Sequence, residues 1–133
     1  MSDSQLKLIF FNRLTGPAIN AELKYNIPSL VILSLAAFQS NWGKNSRMEN
    51  LFLMTEDSGK SLKQYPNAYS AIDDFCEYAA PLLKGNEKAD TDVLYRLIVS
   101  APPDKIFFKD REKTLKVLPQ ITDEVMKLCF TDM

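Results

Sequence analysis

The residues best suited to chemistry in this 133-residue chain follow an apolar run. Leu33-Ser34-Leu35-Ala36-Ala37-Phe38 gives way to Gln39, Ser40, Asn41, the only tryptophan, Trp42, and Gly43. That is the composition of a buried helix emerging at a polar cleft. What the chain lacks bounds what such a cleft could do. Histidine is absent, which excludes imidazole triads and removes the commonest general base and metal ligand. The cysteines, Cys76 and Cys129, are too widely spaced for a metal-type pair. They read as two reduced, buried thiols, with a disulfide as the alternative, and no imidazole exists to generate a nucleophilic thiolate. No metal or cofactor is expected.

The elements that must position this cleft can be read from pattern. Ser2, Asp3 and Ser4 offer N-cap oxygens to a helix over about Ser4–Leu14, and Gly16-Pro17 punctuates it before a second short helix through Tyr25. Asn26-Ile27-Pro28-Ser29 opens the central helix, apolar nearly all round from Leu30 to Phe38, with Gln39 at its end and Asn41 and Gly43 stopping it. Leu51–Thr55 and Leu62–Tyr65 are short extended candidates around the turn-like Glu56-Asp57-Ser58-Gly59-Lys60-Ser61, which predicts a small hairpin. Ile72, Phe75, Cys76, Ala79 and Leu83 mark an amphipathic helix over Ser70–Leu83. Thr91 or Asp92 caps a further helix ended by Pro102-Pro103. A last helical region, Arg111–Leu128, should break or kink at Pro119. The fold class is mainly α, one domain over residues 1–133, with one small β-hairpin lobe.

Composition narrows the partners. Hydrophobic residues make up 46% and charged residues 25%, and 16 basic against 17 acidic residues give a formal net charge of -1. The basic residues are scattered, so no nucleic-acid surface is expected. The polar N-terminus has no Sec signal pattern, and the run Leu30–Phe38 is too short to cross a bilayer. The expectation is a chain made in the cytoplasm that inserts in no membrane.

Two blocks of residues carry a family likeness. Ile27-Pro28-Ser29, then Ala36-Ala37-Phe38-Gln39-Ser40-Asn41-Trp42-Gly43-Lys44, then Glu49-Asn50-Leu51-Phe52-Leu53-Met54 resembles the bacterial glucosaminidase pattern I-P-x-S, A-A-L-E-S-G-W-G-K, N-N-L-F-G-I-K. Tyr65-Pro66-Asn67-Ala68-Tyr69-Ser70-Ala71-Ile72-Asp73-Asp74-Phe75 is similar to its Y-x-S-x-x-E-A-L-x-D-Y stretch. The likeness covers roughly residues 5 to 100 and implies a lysozyme-like helical domain whose hairpin faces the acid-bearing helix across a glycan groove. The implied ligand is the glycan strand of peptidoglycan. Delivery to the periplasm or cell wall would then fall to phage lysis or a secretion system, with an immunity, phage or secretion-apparatus protein as partner.

Cleaving a glycosidic bond needs a partly desolvated carboxylic acid to protonate the leaving oxygen, and a second carboxylate opposite. The resemblance puts Gln39 at the acid position, and an amide has no proton to give. Losing a general acid typically costs about 10²–10⁴-fold in rate. Three readings stay open: an engineered Glu-to-Gln variant of a hydrolase, a natural non-catalytic relative that binds glycan or serves assembly, or transfer of the acid role to Glu49. Glu56 and Asp57 are the opposing carboxylates by resemblance, or plain turn residues. Trp42 suits a sugar-stacking platform or a core anchor. Tyr65 and Tyr69 are groove candidates, and Asn50 is expected to bond backbone beside the groove. Phe10, Phe11 and Phe75 read as core, and Phe107 and Phe108 as core or as lining a groove.

Overall fold

The computed structural model describes residues 2–45, 49–56, 61–101 and 105–131. Among them are five helices, α1 (Asp3–Tyr25), α2 (Ser29–Ser40), α3 (Ala68–Leu83), α4 (Thr91–Val99) and α5 (Arg111–Thr131), and a hairpin of β1 (Thr55–Glu56) and β2 (Ser61–Leu62). The expected class, mainly helical with one small hairpin, is the one observed.

Helix α2 is the hub, packed by α1, α4 and α5. Every residue from Val31 to Ala37 is buried. Such a segment can be stable only inside a helical shell, because no face of it suits water. Pro28, at its N-cap, has no side chain to cap with, and the Glu22 carboxylate of α1 accepts from the Ser29 N–H instead.

Helix α1 departs from expectation. It runs unbroken through Gly16-Pro17 for 23 residues. A proline inside a helix costs about 3 kcal/mol, and here burial outweighs it. Phe10, Phe11, Leu14, Pro17, Ala18 and Ala21 form one buried stripe against α2 and α3, so a break at Pro17 would lift half that stripe off the core. A capping box between Ser2 and Gln5 starts the helix, and left-handed Asn26 (φ 61°) ends it. Pro119 likewise neither ends nor divides α5. Helix α3 starts at Ala68, where Asn67 Oδ1 accepts from Ser70 N at 2.9 Å. Asp90, rather than Thr91 or Asp92, is the N-cap of α4.

The strands are shorter and later than the expected Leu51–Thr55 and Leu62–Tyr65. Leu53 has φ 58°, which no extended strand tolerates, so regular pairing begins only at Thr55↔Leu62. A third segment joins the hairpin: Met54 bridges Ile106, Thr55 N donates to Lys105 O, and Phe107 N donates to Leu53 O, both at 2.9 Å. Phe52 stacks on Phe75 of α3 with ring centroids 4.1 Å apart. Cys76 is buried as expected; Cys129 is exposed on the last turns of α5, and both thiols are free. The reading of two buried thiols fails at Cys129, which continues the spacing of the buried α5 stripe Leu118, Thr122 and Val125 but is exposed near the end of the helix.

Candidate functional site

The end of α2 is held in an unusual shape. Asn41, Trp42 and Gly43 have φ of 50°, 57° and 85°, three successive left-handed residues where a non-glycine residue costs about 1–2 kcal/mol. Backbone bonds fix the reversal: Trp42 N donates to Ala37 O at 2.8 Å and Asn45 N to Ser40 O at 2.9 Å. Ser40 Oγ donates to Ala36 O and accepts from Gly43 N. Gly43 suits its place twice over, by its φ and because a Cβ there would lie a tight 3.3 Å from the Phe10 ring. The reversal turns Trp42 inward, edge to face with Phe10 and under the Lys7 ammonium. Its ring is buried, so Trp42 anchors the fold and offers no platform to a ligand.

Gln39 occupies the mouth of the cleft. Its side chain is 9% exposed, and its amide nitrogen donates to two backbone carbonyls, Phe107 O at 2.8 Å and Phe52 O at 3.2 Å. The amide thereby ties α2 to both the hairpin loop and the segment that pairs with it. The residue lines a cleft of about 520 Å³, and its Oε1 is the polar atom those two bonds leave over. One wall is Phe38, Leu53 and Phe107, and the other is Lys109, Asp110, Lys113 and Thr114 at the start of α5. Asp110 caps that helix, its Oδ1 accepting from Lys113 N at 3.0 Å and its carbonyl from Thr114 Oγ1 at 2.7 Å. Phe107, expected in the core or lining a groove, is 50% exposed on the cleft wall. Phe108 is half-buried beneath the Arg111 guanidinium.

The other expected site residues gather elsewhere. Asn50 is buried and brackets the hairpin loop, donating to Met54 O (2.9 Å) and Lys63 O (3.0 Å) and accepting from Met54 N (2.9 Å). Its backbone-bonding role is the one expected. Glu49 pairs with Arg13 of α1 and does not line the cleft. Tyr65 donates to Asp74 Oδ2, which also receives Lys63 Nζ at 2.8 Å. Burial works to raise the Asp74 carboxyl, but the bonds from Lys63 and Tyr65 and the charges of Lys63 and Lys105 hold it below its ordinary range. Burial, the bond to Asp74 and the charges of Asp74 and Glu56 push the Tyr65 phenol well up. Glu56 thus neighbours Tyr65 at the exposed base of the hairpin, bonded to Ser61 at 3.5 Å. Asp57 lies outside the described residues. Tyr69 is exposed on the outer face of α3 against α1.

The arrangement joins an aromatic face, a neutral acceptor, one carboxylate and two ammonium groups around a groove, a set that can bind a polar ligand with an apolar face. Sequence reasoning left Phe107 between core packing and groove lining, and missed Asp110 as a member. The alternation Ile106 (buried) to Phe107 (exposed) of an extended segment was the available signal for the first, and the helix start at Asp110-Arg111 for the second. Among the described residues no cluster of three or more acidic, cysteine or histidine side chains could hold a metal. No helix among them is long and apolar enough to cross a membrane. No family model, curated protein or solved structure matches the chain.

Proposed function

We propose that this chain is a lysozyme-like module of glucosaminidase type that binds the glycan strand of peptidoglycan without hydrolysing it. One observation carries the reading: both N–H donors of the residue at the acid position are spent on backbone carbonyls. Gln39 is therefore a structural tie whose Oε1 can accept from a sugar hydroxyl or amide but can protonate nothing. Phe107, exposed beside it, supplies the apolar face on which a pyranose C–H edge packs, the role that buried Trp42 cannot fill. Lys109, Asp110 and Lys113 offer hydrogen bonds to hydroxyl, acetamido and carboxylate groups of amino sugars. The chain would act at the periplasm or cell wall, delivered by phage lysis or a secretion system, with an immunity, phage or secretion-apparatus protein as its partner.

The test is co-sedimentation with purified sacculi together with a reducing-end assay. Binding without release of reducing ends is expected, weakened about 5–10-fold in Phe107→Ala by loss of an aromatic contact of about 1–1.5 kcal/mol. Release of reducing ends by the unaltered chain would overturn the non-catalytic reading. Absence of binding would overturn the ligand.

A further inference from the structure

The run Lys109-Asp110-Arg111-Glu112-Lys113 is of mixed charge along the chain, but the fold sorts it. Arg111 donates to Ala101 O at 2.6 Å and lies over the Phe108 ring. Glu112 pairs with Lys116 on the exposed flank of α5. Lys109, Asp110 and Lys113 are left on the wall of the cleft that Gln39 and Phe107 also line. Asp110 Oδ1 is engaged with the Lys113 backbone N–H at the helix start. Neither lysine belongs to an ion pair among the described residues. Two ammonium groups thus stand beside one carboxylate, a local positive excess in a chain whose formal net charge is -1. A strand of uncharged sugars gains nothing from that excess, whereas an anionic one does.

We propose that Lys109 and Lys113 make the cleft selective for a muramyl residue whose lactyl carboxyl is free, an inference that rests on the glycan reading and sharpens it. On an N-acetylated muramyl ring the acetamido group and the lactyl ether stand on neighbouring carbons. Gln39 Oε1, left over by the two backbone bonds, can accept from the acetamido N–H. A ring held there and on Phe107 keeps its lactyl carboxyl inside the same cleft as the two ammonium groups, whereas the carboxyls of a stem peptide lie several bonds further out. In peptidoglycan that carries its stems, the lactyl carbonyl is amide-linked to the peptide and uncharged, so it offers the lysines nothing. The ligand is therefore a strand stripped of its stems. The class of reaction that supplies it is hydrolysis of that amide, in which water adds to the carbonyl, the C–N bond breaks, and the peptide leaves with a free amine. This chain then acts after an amidase rather than before one.

Equilibrium binding of the full chain to soluble strands of matched length, at neutral pH and low salt, tests it. The strands are stem-free peptidoglycan glycan, the same glycan with its lactyl carboxyls converted to methylamides, the same glycan with stems attached, and a neutral chito-oligosaccharide. The stem-free strand should bind roughly 3–30-fold tighter than the other three, the worth of two partly exposed charge pairs. That preference should shrink as salt is raised. It should vanish in the double variant Lys109→Gln/Lys113→Gln, checked for native helicity by circular dichroism. Equal binding of the stem-free and methylamide strands would overturn the selectivity and leave the glycan reading standing. A strand with stems that binds as tightly as the stem-free one would also overturn it, by moving the charge contact to the peptide. So would a preference that survives in the double variant. Failure of every strand to bind would overturn the glycan reading and this inference with it.

Discussion

Replacing Gln39 with the acid that a glycan hydrolase would carry should expose how the site is built. In the native chain the amide satisfies two carbonyls at 2.8 and 3.2 Å in a nine-tenths-buried position. An ionised carboxylate in Gln39→Glu donates nothing and sets its oxygens against those of Phe52 and Phe107. Each carbonyl left unsatisfied costs about 1–3 kcal/mol, so the variant should lose about 2–6 kcal/mol at neutral pH. Protonation restores one of the two bonds, which reduces the loss to about 1–3 kcal/mol in acid. The difference between the two, at about 1.4 kcal/mol for each pKa unit, raises the new carboxyl by about one to two units above a free glutamate near 4.3.

The sign follows from linkage. A carboxyl whose folded pKa lies above its unfolded pKa binds its proton more tightly when folded. The variant's deficit should therefore be smallest below about pH 4 and grow as the pH rises through the unfolded and then the folded pKa, levelling off near pH 7. The native amide does not titrate, so subtracting its stability at each pH isolates the new group. Urea unfolding of both proteins at about pH 4, 5.5 and 7.5 measures the profile. A deficit equal at all three values, or no deficit, would refute the assignment of both amide donors to backbone carbonyls. A raised pKa is also what a general acid needs. The same variant assayed on sacculi tells whether the cleft lacks only the proton, in which case reducing ends appear, or the whole catalytic geometry, in which case they do not.

Further outcomes follow from other parts of the molecule. Asn50→Ala removes three hydrogen bonds from a buried loop and should cost about 2–4 kcal/mol, with the largest amide shifts at Met54 and Lys63 by NMR; shifts confined to position 50 would argue against the bracket. Asp74, held below its ordinary range by Lys63 and Tyr65, stabilises the fold at pH above the unfolded carboxyl value and loses that contribution as pH falls through the lower folded value. Asp74→Asn should accordingly flatten the acid limb of a melting-temperature profile, and an unchanged limb would show that the pair contributes nothing. Cys129 should react with a thiol reagent in the native state. Cys76, its thiol pushed up to about 12 by burial and then by Asp73, should react only on unfolding, so modification of both at one rate would contradict the packing of α3.

Helix α2 was legible because a helix apolar on every side can only be central, and its end at Asn41 and Gly43 because those residues tolerate left-handed backbone. The break expected at Gly16-Pro17 failed for a tertiary reason. Local propensity disfavours a helix there, and the stripe on both sides of the proline overrides it. The site was legible at Gln39 and Asn50, whose types announce a polar task beside an apolar helix. At Trp42 and Phe107 the sequence left two roles open, core or groove. The sequence shows two aromatic residues near polar neighbours, but which one faces solvent depends on the reversal at Asn41–Gly43 and on the pairing of residues 105–107 with 53–55. That pairing joins segments some fifty positions apart, and no local periodicity encodes it. Glu56 and Tyr65 were rightly grouped with the hairpin, but the hairpin sits on α3 through Asp74 and leaves the cleft wall to the chain around Phe107.

The tie made by Gln39 has a mechanical consequence. Phe52 and Phe107 flank the Leu53–Phe107 backbone bond, so Gln39, the hairpin loop and the 105–107 segment close a ring of hydrogen bonds anchored in the most deeply buried helix. A ring of that kind cannot open at one link without straining the others. Amide hydrogens at Thr55 and Phe107 should exchange no faster than those of α2 itself, as one cooperative unit. The groove beside Gln39 is then a mould already set before anything enters it. A ligand would bind by fitting its shape, spending little on ordering the protein.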